Sequence, residues 1–180
     1  FSLRGLVGSQ TVFYDKPFGA VTFVDNHDFR GGDHPQIIND KLLAYSFILT
    51  HEGYPCIFWQ DYYNWDLAKE RTPNGITAFI NVHENHAAGY SNILWVDNDL
   101  YIMQRTGLGS KPGLIFVLNN RGDRWNGAWV STQWSNIDFE PVAWWSASQL
   151  DTPYNQHVYH DGRAQFWAPP RGYVVYKPNV

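Results

Sequence analysis

Val21-Thr22-Phe23-Val24-Asp25-Asn26-His27-Asp28 is the stretch whose reading decides the fold. Residues 20–24 form a short β-rich run that stops abruptly in four polar residues, Asp25, Asn26, His27 and Asp28. A buried strand that presents acid, amide and imidazole at its C-terminal end is how a parallel barrel delivers catalytic groups. The chain supplies one such strand-end cluster, so most partner groups for its chemistry are expected to lie outside it.

Around this strand the periodicity alternates. Lys16-Pro17-Phe18-Gly19 reads as a turn before it, and residues 1–9 carry Phe1, Leu3, Leu6 and Val7 near helical spacing. A loop with Gly31-Gly32 follows the strand. Residues 37–50 then place Ile38, Leu42, Tyr45 and Leu49 on one face of a helix. Gly53 and Pro55 stop that helix, and residues 56–59 read as a second short buried strand. Thr72-Pro73 opens another helix running to about Gly89. This is strand, helix, strand, helix: two βα units in series. Two such units cannot close a barrel or cover both faces of a parallel pair, so residues 1–89 call for more protein.

After Gly89 short strands follow one another at 93–96, 100–103, 114–118, 128–131, 142–145, 164–167 and 173–176. Turn signals divide them, among them Asp97-Asn98-Asp99, Asn126-Gly127 and His160-Asp161-Gly162. Residues 90–180 are therefore expected to form an all-antiparallel module, a Greek-key sandwich.

Composition narrows the classes of function. The 180 residues are 44% hydrophobic, enough for a sizeable core, and 17% aromatic, with Trp 9, Tyr 11 and Phe 11. Such aromatic richness fits sugar-stacking surfaces and fits a β-rich core equally well. Net charge is −4 with no basic stripe, which argues against nucleic acid as a partner. No apolar run is long enough to span a bilayer, so a membrane is not expected as a partner either. The one cysteine, Cys56, rules out an intrachain disulfide and sits in an apolar run that reads as buried. Phe1 in place of Met suggests that the chain begins inside a longer product.

Asp28 has two readings. It is a carboxylate that supports a cationic transition state, with His27 hydrogen-bonding the ligand, as glycoside hydrolysis requires. Or it is a capping aspartate with a turn histidine. The residues alone leave both open.

Phe23-Val24-Asp25-Asn26-His27-Asp28 resembles the fourth conserved region of the α-amylase family (glycoside hydrolase family 13). Residues 44–50 followed by Gly53-Tyr54-Pro55 resemble the helix and final barrel strand that come next in that family, and the β module takes the place of its C-terminal domain. The resemblance implies α/β plus all-β architecture: the C-terminal portion of a TIM (β/α)8 barrel over 1–89, then an antiparallel Greek-key β-sandwich domain over 90–180. It implies that Asp28 is the third catalytic carboxylate, which binds sugar hydroxyls at the cleavage point and favours the distorted, cation-like form. It implies that His27 binds the same sugar; Arg30, read from its place in the chain alone, is close enough to touch sugar hydroxyls and fits a surface salt bridge equally well. The family's nucleophilic aspartate, in a Gly-x-Arg-x-Asp segment, and its acid/base glutamate have no counterpart here, and a retaining mechanism needs both. The chain alone is therefore expected to be inactive, and to need the N-terminal part of the enzyme as a second polypeptide. The family also implies starch or maltooligosaccharides as substrate, secretion, and calcium held mostly by ligands outside this chain. A maltooligosaccharide-forming relative, or a non-catalytic starch-binding or stabilising fragment, is the alternative.

The remaining candidates are weaker. Asp33-His34 could line a cleft or simply be solvated. His83 and His86 have metal-like helical spacing but no evident further ligands. Asp97-Asn98-Asp99 reads as a hairpin turn more readily than as a calcium site. Trp144 and Trp145 must face opposite ways on a strand. Trp125, in a turn, is the best sequence candidate for an exposed sugar platform.

Overall fold

A computed structural model describes residues 1–8, 11–28, 37–148 and 151–180. The N-terminal part contains a 3-10 turn at Leu3–Leu6, α1 (Val12–Asp15), a second 3-10 turn at Pro17–Gly19, β1 (Val21–Phe23), α2 (Lys41–Thr50), β2 (Tyr54–Cys56), α3 (Trp59–Tyr63) and α4 (Ile76–Asn85). β1 and β2 pair in parallel, with Val21 opposite Tyr54 and Phe23 opposite Cys56, as the βα series requires.

The boundaries differ from the sequence reading for local reasons. Helical spacing near the start yields one 3-10 turn, which buries Leu3. α2 begins at Lys41 because Asp40 is left-handed at φ 56. β2 takes in Pro55, tolerable because β1 is its only strand partner among the described residues. At Gly53 (φ 104) the backbone turns tightly, and a Cβ would lie 2.7 Å from the Ala20 carbonyl. That carbonyl accepts the Tyr54 N–H at 2.8 Å, so glycine is needed where the two strands meet. Residues 57–59 leave the sheet, and Trp59 starts α3. Cys56, expected to be buried, is exposed. α4 starts at Ile76, because Thr72 is spent on a turn in which its hydroxyl donates to Lys69 O at 2.7 Å.

The remaining strands are β3 (Ser91–Val96), β4 (Leu100–Arg105), β5 (Leu114–Asn119), β6 (Asn126–Ser131), β7 (Ile137–Ser146), β8 (Gln156–Val158), β9 (Arg163–Ala168) and β10 (Gly172–Pro178). They form a six-stranded sheet in the order β3-β4-β5-β10-β7-β8 and a two-stranded ribbon, β6-β9. Every pair among them is antiparallel. β8 escaped the sequence reading. Asn126-Gly127, read as a turn, lies within β6, where a Cβ on Gly127 would meet Phe166 O at 2.4 Å.

Alternation along the central strands builds two cores. Tyr101, Met103, Phe116, Tyr173 and Val175 pack against Tyr45 and Leu49 of α2 and Phe79 and Val82 of α4. Leu100, Ile102, Ile115, Val117 and Val174 pack against Ala128, Val130, Ala164 and Phe166 of the ribbon. The sheet is thus covered by helices on one face and by the ribbon on the other, and β4 and β5 are buried throughout. Trp145 joins the helix-side core and Trp144 the ribbon-side core, on opposite faces as the pleat demands.

Buried polar contacts tie the sheet to the βα units. The Arg105 guanidinium donates to Thr50 O at 2.8 Å and to Gly89 O at 2.8 Å. The Ser91 N–H and hydroxyl donate to the Glu52 carboxylate at 2.6 Å and 2.5 Å. Among the described residues no helix is long and apolar enough to cross a membrane.

Candidate functional site

The strand end that carries Asp28 descends in burial and rises in exposure within five residues. Val24 and Asp25 are buried, Asn26 is half-buried, and His27 and Asp28 are exposed. Asn26 shapes the turn: its Oδ1 accepts the Asp28 N–H at 2.8 Å. His27 and Asp28 then project side by side, with Nε2 3.4 Å from Oδ1. Their side chains are 83% and 72% exposed, so water screens their contact. A carboxylate acts strongly on a developing cation only in an enclosed, preorganised site. Here the pair stands open to water. Arg30, Asp33 and His34 lie outside the described residues.

Beneath the turn lies a buried ionic network. Lys41, the first residue of α2, is 4% exposed, and its ammonium donates to Asp25 Oδ2 at 2.8 Å and to Asp61 Oδ1. The Tyr45 hydroxyl donates to the other Asp61 oxygen at 2.6 Å and accepts the Phe58 N–H at 3.3 Å. The Trp65 ring sits 4.3 Å from the ammonium. Burial, then the hydrogen bond to Asp61, pushes the Tyr45 phenol far above its usual range. A lysine at a helix N-terminus works against the helix dipole. Its two buried carboxylate partners account for its position. The network joins β1, α2 and α3, and so fixes the height at which Asn26, His27 and Asp28 leave the strand. The sequence reading missed it: Asp25 enters there only as part of the motif, and Asp61 not at all.

The surface around the turn is apolar and open. Val21, Phe23 and Tyr54 on the parallel pair are 62%, 46% and 66% exposed. A groove of about 490 Å³ runs beside them, lined by Phe1, Leu6, Phe23, Val24, Leu43, Phe47 and others. A two-stranded parallel sheet with exposed apolar residues is an incomplete layer. At the rim of the groove Arg171 holds Asp40 through Nε at 2.8 Å and Nη2 at 2.6 Å, which fastens the β module to the entrance of α2.

The other candidates resolve into structural roles. His83 contacts Leu49 O at 3.2 Å and His86 ends α4; burial lowers both imidazole pKa values. Asp97 Oδ1 accepts the Asp99 and Leu100 N–H groups, each at 2.8 Å, and its Oδ2 accepts the Trp95 indole at 2.9 Å. Its oxygens serve the hairpin, in keeping with the turn reading of Asp97-Asn98-Asp99. Among the described residues no group of three or more His, Cys, Asp or Glu is placed to hold a metal ion. Trp125 is half-buried in a cleft with Tyr154 and Trp167, whereas Trp129 is 48% exposed.

No protein-family model matches the chain. Over 120 residues it is 38% identical to an α-amylase of Geobacillus stearothermophilus, covering 63% of this chain and 21% of that enzyme. Over 96 residues it is 34% identical to the α-amylase type B isozyme of Hordeum vulgare, covering 51% of this chain and 60% of that protein. The chain thus spans less than two thirds of either relative. Its fold matches that of the cyclomaltodextrin glucanotransferase CldA with a TM-score of 0.63 at 19% identity, over 92% of this chain and 37% of that one.

Proposed function

Because the chain corresponds to the C-terminal region of the α-amylase family, we propose that it forms part of a glycoside hydrolase cleaving α-1,4-glucosidic bonds in starch and related glucans with retention of configuration. Residues 1–89 complete the barrel, and residues 90–180 are the C-terminal domain. The observation that carries the reading is the His27–Asp28 pair at the C-terminal end of a parallel strand, projecting from a turn that Asn26 closes.

In this reading Asp28 binds hydroxyls of the sugar at the cleavage point. As the ring flattens toward the oxocarbenium-like form, those hydrogen bonds and the negative charge strengthen, so they lower the barrier rather than only tightening binding. His27 donates to the same sugar. Arg30 is a further sugar contact in this reading. The nucleophile and the acid/base carboxylate come from the N-terminal part of the enzyme, which also covers the apolar wall around Val21, Phe23 and Tyr54 and encloses the site. Calcium would be held by that part. The 180 residues alone do not hydrolyse starch, and the complete enzyme works outside the cell, where polymeric starch is found.

Asp28→Asn in the complete enzyme tests this. Turnover on soluble starch should fall by roughly a thousandfold or more with little change in KM, because the lost contact strengthens at the transition state. Undiminished turnover would leave the non-catalytic, starch-binding or stabilising role.

A further inference from the structure

A second aromatic feature stands on the ribbon, which covers the sheet face opposite the helices. In β6 the side chains of Ala128 and Val130 enter the core, so Trp129 between them must face outward. Tyr159, in the turn before β9, is 50% exposed beside it. The two rings lie 6.1 Å apart, with planes inclined by 30°. An open cleft of about 320 Å³ lies over both, rimmed by His160, Asp161 and Arg163.

The pair is braced on both sides. The Arg163 guanidinium lies 5.7 Å from the indole centroid, a cation–π contact. The His157 ring meets Tyr159 edge-on at 5.3 Å, and its Nδ1 is held 2.6 Å from the Asp138 carboxylate. The Tyr159 backbone is pinned as well: its N–H donates to Arg163 O at 2.9 Å and its carbonyl accepts from Gly162 at 3.0 Å. Neither ring is needed for the ribbon core, which Ala128, Val130, Ala164 and Phe166 fill.

We propose that Trp129 and Tyr159 form a surface platform that binds an α-1,4-glucan chain, separate from the turn that carries Asp28. Pyranose rings present apolar C–H faces that stack on aromatic faces, while their edges present hydroxyls. Asp161 and His160 supply an acceptor and a donor at the rim of the cleft, and Arg163, over the indole, supplies donors on that side. A rim of mixed charge suits a neutral polyhydroxyl chain better than an anion or a cation. Two braced rings lose little freedom on binding, so the stacking is not spent on ordering them. The choice of α-glucan rests on the proposed function. The platform would hold a strand of the polymer while another part of it is cleaved.

Affinity electrophoresis of the 180-residue chain in native gels containing soluble amylose reads this directly. The unmodified chain should be retarded, and maltoheptaose should release it. Trp129→Ala and Tyr159→Ala should each weaken the retardation roughly tenfold, the size of one lost stacking contact. Trp95→Ala, which removes another exposed indole, should leave it unchanged. The electrophoresis involves no turnover, so failure of the platform and failure of the catalytic reading are separate results. Thermal melting of each variant reports whether it folds, and Tyr159→Ala tests the platform should Trp129→Ala unfold. Absent retardation of the unmodified chain overturns the proposal. So does retardation that survives both substitutions, or that is lost with Trp125→Ala alone.

Discussion

Lys41→Met removes the cation at the centre of the buried network and keeps nearly the same side-chain volume. Lys41, Asp25 and Asp61 are 4%, 2% and 0% exposed, so water cannot replace the lost ammonium. Asp25 Oδ2 and Asp61 Oδ1 lose their donor, and two buried carboxylates face each other without a counter-charge. Removing one partner of a buried ion pair costs about 3–5 kcal/mol, because the other charge is left uncompensated. Two stranded carboxylates place the expected loss at the upper end of that range, lessened where one takes up a proton. Urea denaturation of the chain at pH 7, followed by circular dichroism, should show it as a fall in midpoint of about 2 M for a slope near 2 kcal/mol/M. Lys41→Met with Asp61→Asn should cost less than the sum of the singles, because the second change removes a charge the first had stranded. A Lys41→Met variant within about 0.5 kcal/mol of the unmodified chain would refute the account, since that is the range of an ordinary surface substitution.

Two further outcomes follow from the same structure. His51 is fully buried between Phe47 O at 2.8 Å and the Tyr101 hydroxyl at 2.7 Å. Burial, reinforced by the Arg105 charge, lowers its pKa to about 3. Between that value and the unfolded value near 6.5 only the unfolded chain takes up the proton, so stability is intact above about pH 6.5 and is lost as pH falls. Equilibrium unfolding at pH 7 and pH 5 should differ by roughly 2 kcal/mol from this group. His51→Gln should remove most of that slope, and an unchanged slope would contradict the assignment. Cys56 is exposed, so a thiol reagent should titrate one equivalent in the native chain at pH 8. A thiol that reacts only after denaturant is added would place Cys56 in the core.

Much of the architecture is legible in short-range patterns. A strand ending in Asp25-Asn26-His27-Asp28, helical spacing through Leu42, Tyr45 and Leu49, and short apolar runs divided by turn signals beyond Gly89 each report the backbone that local sterics favour. They were enough to place Asp28 at a strand end and to give the parallel-then-antiparallel order of the chain. Element ends were less legible where single residues override the pattern, as at left-handed Asp40 and within β2 at Pro55.

The sequence by itself determined the order of elements, the two faces of each central strand and the turn that carries His27 and Asp28, because all of these follow from neighbours along the chain. Only the tertiary structure decided that Lys41 lies between Asp25 and Asp61, partners 16 and 20 positions away. It also decided that Trp129 rather than Trp125 stands exposed, and that Cys56 faces outward. Charge pairing and exposure are properties of what packs against a residue, and packing joins segments whose separation along the chain carries no local signature.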